Sequence, residues 1–158
     1  MLYQDLYDSP LGAIRILANE QGICGLYFVG QKYDCRGFEV MAVANQSTSH
    51  TKLACDWLEA YFAGAALPEV TLALTGTDFQ MKVWRALQDI PSGQTVTYGQ
   101  LAKLLDCKSA QAIGGAIGKN PVSLIVPCHR VLGADGGLTG YAGGVERKAW
   151  LLKHEERG

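Results

Sequence analysis

No apolar run in this chain approaches the roughly 20 residues of a membrane-spanning helix. The N-terminal stretch MLYQDLYDSP also lacks the basic patch and following apolar segment that mark a signal peptide. These absences lead us to expect a soluble, cytoplasmic protein. Cysteine is sparse and odd in number: five residues, at 24, 35, 55, 107 and 128, with no CxxC pair. A disulfide framework and a Cys-rich zinc site are therefore not expected. The three histidines, His50, His129 and His154, show no HExxH-like spacing, so no metal ligands are assigned. Nor does charge of one sign dominate, the net being −1 over 158 residues.

What is present is enough apolar material for a core, 48% of the residues, which argues against disorder. Residues 1–77 carry 4 Lys+Arg against 8 Asp+Glu, whereas 78–158 carry 10 against 7. A polyanion would therefore meet the second half. LYQDLY, GAIRILA and GICGLYFVG, separated by DSPLG and NEQG, read as an antiparallel meander. Residues 30–49 read as a loop or short element. HTKLACDWLEAYFAG places Leu53, Ala54, Trp57, Leu58, Tyr61 and Phe62 at helical spacing, with Gly64 as its stop. VTLAL, 70–74, reads as a last strand. The character then changes, and the boundary is set between a domain of residues 1–76 and one of 77–158.

The second part reads as helices. Thr77 and Gln80 have capping-box spacing ahead of an apolar stripe, Phe79, Val83, Trp84, Leu87 and Ile90. Thr97 and Gln100 repeat that spacing before YGQLAKLLD. A short connection leads to Ser109 and AQAIGGAIGKN, making a helix-turn-helix candidate. SLIVP, 123–127, reads as a strand, and GADGGLTGYAGG, 133–144, as a loop able to approach a ligand closely. VERKAWLLKHEE reads as the final helix. Within VPCHRV, 126–131, Cys128 stands beside His129 and Arg130. Two potentially cationic neighbours are the setting for a lowered thiol pKa. A small buried hydrophobe is the alternative, and it is the default for Cys24, Cys35, Cys55 and Cys107.

PCHRV, the preceding GKNPVSLI, the upstream TYGQLA, the following TGYAGG and the terminal WLLKHE together resemble the O6-alkylguanine-DNA alkyltransferase family. The resemblance is strongest over 77–158, and the first half has the family's strand-and-helix pattern. It implies an α/β (α+β) protein with an RNase H-like N-terminal domain and a winged-helix, helix-turn-helix C-terminal domain. It implies irreversible, single-turnover transfer of an alkyl group from O6-alkylguanine, with O4-alkylthymine as a second substrate, to the protein's own cysteine. The partner is double-stranded DNA carrying alkylated guanine. A monomer with no cofactor, no metal and no membrane association is implied.

By the same match Cys128 is the nucleophile, His129 the base acting through a water, and Glu155 the residue that orients His129. The alternative for Glu155 is a solvated residue at a helix end. Tyr98 is the donor toward the guanine and Asn120 the brace of the cysteine segment. The guanine pocket uses backbone groups of Cys128, Val131 and Ala142, with Tyr141 as a wall. Lys148 supports the glycine loop. Arg130 belongs to the same neighbourhood and is read as structural rather than catalytic. Gly114 and Gly115 let the recognition helix approach DNA in the minor groove, the target nucleotide being flipped out. One position departs from the family pattern. Where the family carries an intruding arginine this chain has Gln111, shorter and uncharged, so weaker action on duplex DNA is expected. A lesion sensor without transfer, a cysteine hydrolase and a plain DNA-binding regulator are the rival readings.

Overall fold

A computed structural model describes residues 1–31, 43–138 and 140–156. The chain divides into two compact units, Met1–Thr75 and Gly76–Gly158.

Among the described residues the first unit is a four-stranded sheet with one helix. Strands β1 (Leu2–Ser9), β2 (Gly12–Ala18) and β3 (Ile23–Phe28) form the antiparallel meander, and β4 (Val43–Ala44) adds in parallel to β1. The sheet order is β3-β2-β1-β4. Ser9 and Asn19 close the two hairpins by bonding their side chains to the turn backbone. Helix α1 (Ser49–Ala63) starts at a Thr48/Thr51 capping box and stops at Gly64, whose φ of 71° suits a residue without Cβ. It buries Ala54, Trp57, Leu58 and Tyr61 and lies against β1, β2 and β3, while Leu53 remains exposed.

Two readings of this half change. Residues 70–74 form no strand. A single parallel bridge joins Leu72 to Ile23, with Ile23 N–H donating to Thr71 O and Ala73 N–H to Ile23 O. The loop-or-short-element reading for 30–49 lies outside the described residues over 32–42, as does the packing reading for Cys35, while within the described part Val43–Ala44 form the short strand β4. Cys24 is buried as expected, but Cys55 and Cys107 are only half-buried.

The second unit carries α2 (Asp78–Gln88), β5 (Val96–Thr97), α3 (Tyr98–Leu104), α4 (Ala110–Gly118), β6 (Val131–Leu132) and α5 (Val145–Glu156). Both capping boxes form with their reciprocal bonds, Thr77 with Gln80 and Thr97 with Gln100. Ser109 caps α4 through Ala112 N–H. Of the expected α2 stripe, Val83, Trp84, Leu87 and Ile90 are buried and Phe79 is exposed. Trp84 donates its indole N–H to Ala116 O at 2.9 Å, tying α2 to α4. α3 packs on α4, and β5 pairs in parallel with β6. Among the described residues no helix is long and apolar enough to cross a membrane.

SLIVP is not a strand either. Ile125 N–H donates to Ser123 O and Val126 N–H to Val122 O, so the segment is a run of tight turns. Leu124 sits within it at φ 71°, a conformation that side chains rarely adopt.

Candidate active site

Asn120, just past the end of α4, organises that turn segment. Its Nδ2 donates to Val126 O at 2.8 Å, and its Oδ1 accepts from Val122 N–H at 3.0 Å. One buried side chain thus supplies the bonds that a neighbouring strand would supply elsewhere. Pro127 follows at φ −81° and ψ 66°, an inverse γ-turn closed by Cys128 N–H on Val126 O at 2.8 Å. Cys128–Arg130 is then one turn of 3-10 helix. At three residues per turn, successive side chains fan outward instead of alternating between two faces.

The fan delivers His129 and Arg130 to α5. His129 Nε2 lies 2.6 Å from Glu155 Oε2. Arg130 Nε donates to Glu155 Oε1 at 2.8 Å, and Nη2 to Oε2 at 3.0 Å. Its Nη1 donates to Ile90 O at 2.7 Å. His129 is fully buried and Glu155 is 5% exposed, so Glu155 is no solvated helix-end residue. Arginine stays charged in proteins, and a carboxylate bonded to it across both oxygens can only accept. Nε2 of His129 therefore carries the hydrogen, and Nδ1 is the acceptor. Nδ1 is itself buried without a hydrogen-bond partner among the described residues. Burial holds the His129 pKa below the ordinary imidazole value; Glu155 opposes this, while the Arg130 and Lys148 charges reinforce it.

The thiol does not follow the reading from its sequence neighbours. Cys128 is 7% exposed, and burial pushes its pKa up. Opposing that rise are a hydrogen bond from the Asn120 side chain, the charge of Lys148, and the backbone N–H groups of Cys128 and His129. The cation that acts on the sulfur is thus Lys148, not Arg130, whose charge is engaged by Glu155. Lys148 is 1% exposed and donates to Val131 O in β6, the strand leading into the glycine loop. Burial lowers its pKa and Cys128 raises it. That electrostatic tie joins residues 20 apart, and nothing in the local sequence announces it.

The remaining candidates fall into two groups. Tyr98 opens α3, and its pKa is raised first by burial and then by Cys128, so hydroxyl and thiol share one field. Tyr141 is buried, its ring meeting His129 edge-on at 6.4 Å and 74°. Val131 is buried and Ala142 half-buried. A Cβ on Gly140 would stand 2.9 Å from the Tyr98 hydroxyl, and Gly140 has φ 76°. The sequence reading passed over Gly140, because its partner lies 42 residues earlier. Gln111 and Gly115 are exposed on α4, where Gly115 and Gly118 each face open space. Gly114 would only touch Tyr98, at 3.9 Å. Helix packing does not explain these glycines. Arg130, read on sequence as structural rather than catalytic, faces inward onto Glu155 and Ile90 O.

A buried cysteine, a buried His–Glu pair and a short helix pair in one unit, on a chain that also carries a sheet-and-helix unit, define a class: two-domain proteins with a buried cysteine at the candidate site. Residues 2–75 match the model described as 6-O-methylguanine DNA methyltransferase, ribonuclease-like domain, and residues 78–157 match its DNA binding domain. The chain belongs to the methylated-DNA–protein-cysteine methyltransferase family. It is 42% identical over 156 residues to the enzyme of that name from Methanosarcina acetivorans, covering 98% of each chain. It is 49% identical over 126 residues to the Salmonella typhimurium enzyme, covering 78% of this chain and 71% of the other. Mycobacterium tuberculosis OGT, solved in complex with DNA, superposes with a TM-score of 0.88 at 39% identity, covering 98% of this chain and 93% of that one.

Proposed function

We propose that this chain reverses DNA alkylation by moving the alkyl group from O6 of guanine to Sγ of Cys128. The observation that carries the reading is Nδ1 of His129, buried, without a partner among the described residues, and left free of a proton by the Nε2–Glu155 bond. Attack at a saturated carbon requires thiolate, the strong soft nucleophile among side chains. The thiol proton passes through a water to Nδ1 as the S–C bond forms. The C–O6 bond breaks, its electron pair stays on the guanine, and one proton returns to the base, leaving neutral guanine. Tyr98 and the backbone groups of Cys128, Val131 and Ala142 supply donors for that base, and Tyr141 supplies a wall. A thioether is a poor leaving group, so Cys128 is consumed and each molecule acts once.

To reach O6 the nucleotide must leave the stack, at a cost of a few kcal/mol. The face of α4 bearing Gln111, Gly115 and Gly118 supports close approach to a DNA backbone in the minor groove. Gln111 would then stand at the vacated position without the stacking cation. Gln111→Arg is expected to raise affinity for duplex DNA roughly two- to fivefold through cation–π contact. Unchanged affinity in a binding titration excludes that role.

The test of the main reading is intact-protein and peptide mass after mixing with duplex DNA carrying one O6-methylguanine. One methyl group on Cys128, saturating at one per protein, is the expected result. No gain on Cys128 with either duplex or the free alkylated base overturns it.

A further inference from the structure

We propose that Arg130 acts as a positioning residue for the transfer chemistry, keeping His129 neutral at rest by occupying both oxygens of Glu155. A carboxylate alone beside an imidazole stabilises the imidazolium, as in catalytic triads. Here the same carboxylate already answers a permanent cation through a two-point fork at 2.8 and 3.0 Å. Glu155 Oε2 is shared between Arg130 Nη2 and His129 Nε2. It can orient the ring without offering it a full counter-charge.

Of the other groups around His129, Lys148 pushes the same way. Lys148 of α5 is a second buried cation, Cys128 precedes the ring in the chain, and Tyr141 meets its edge. A protonated His129 would be a second cation on one carboxylate, with the Lys148 charge also acting on the ring. Its Nδ1 would also hold a proton already and could not receive the one that Cys128 must lose. The fork thus preserves the vacancy on Nδ1 until the thiol ionises. Ile90 O, the third acceptor of Arg130 at 2.7 Å, fixes the guanidinium in place. A purely architectural arginine would hold α5 to the 3-10 turn and leave the proton inventory of His129 untouched.

The inference rests on the methyl-transfer reading, and the experiment separates the two. Single-turnover methyl transfer to Cys128 is measured against pH for the parent, Arg130→Lys and Arg130→Met. The His129 ring signal is followed by NMR in each, assigned as the histidine signal missing from His129→Asn. The parent ring should titrate below the ordinary imidazole value. In Arg130→Met the ring titration and the acidic limb of the rate profile should both move up by about one pH unit. Arg130→Lys keeps the charge but not the fork, so its rate should fall while its limb stays near the parent's. Losses in rate with unmoved limbs in both variants overturn the inference. So does a parent ring that titrates at or above the ordinary value, a result that stands even where Arg130→Met fails to fold. A parent that transfers no methyl at any pH sinks the methyl-transfer reading, while its ring titration still decides the role of Arg130.

Discussion

At the scale of single residues, the Tyr98 hydroxyl occupies space that a side chain on Gly140 would need. Gly140 has φ 76°, and a Cβ there would meet the Tyr98 hydroxyl at 2.9 Å. Gly140→Ala should therefore cost on the order of 1–3 kcal/mol in backbone strain. It should also slow methyl transfer by pivoting the Tyr98 ring away from the base. The two effects separate in a double-mutant cycle. On a Tyr98→Phe background the clashing oxygen is gone, so Gly140→Ala should lower stability but slow transfer little further. Equal slowing on both backgrounds shows that Gly140 does not act through Tyr98. Such a pairing cannot be read along the chain, because the fold alone joins residues 98 and 140. Arg130 illustrates the converse error. Adjacency to Cys128 made it look like the cation of the thiol, yet one 3-10 turn aims it at Glu155, and Lys148 supplies that charge from α5. Cys128, His129 and Glu155 were legible because their types and spacing match a family, not because any local pattern joins residue 155 to residue 129.

At the scale of elements, legibility followed the strength of the local signal. The capping boxes at Thr77 and Thr97 were readable because a side chain three residues on completes each one. SLIVP was not, since a short apolar run has no period that separates a strand from buried turns. What decides it is Asn120, which satisfies Val122 N–H and Val126 O. Asn120→Ala should leave both of those buried groups unpaired, at about 1–3 kcal/mol each. It also removes the donor that opposes the rise in the Cys128 pKa. The variant should show a lower denaturant midpoint together with slower methyl transfer at neutral pH. Transfer at the parent's rate in a destabilised variant confines Asn120 to bracing the turn.

At the scale of the whole molecule, every residue of the candidate site lies in the second unit, Gly76–Gly158, which is also the more basic part of the chain. Its stability should carry the signature of a histidine buried neutral. The folded pKa of His129 is depressed, chiefly by burial. Between that value and the ordinary imidazole value of about 6.5, the unfolded chain binds a proton that the folded chain refuses. Stability then rises with pH across this window and is lost as pH falls through it, by at most about 1.4 kcal/mol per pH unit for one proton. Lys148, depressed for the same reason, adds the same sign in alkaline solution, between its folded value and the ordinary lysine value. Carboxylates complicate the acid window, so the measurement is a difference. Urea midpoints are followed through the Trp84 indole N–H signal, which reports the second unit because it donates to Ala116 O. They are compared for the parent and His129→Gln from pH 5 to 7. The parent should lose the more stability toward acid, and the excess should vanish near neutrality. Parallel pH dependences in the two proteins imply that His129 takes up its proton as readily folded as unfolded. The buried carboxylate would then be holding an imidazolium, and the base for the thiol would have to be sought elsewhere.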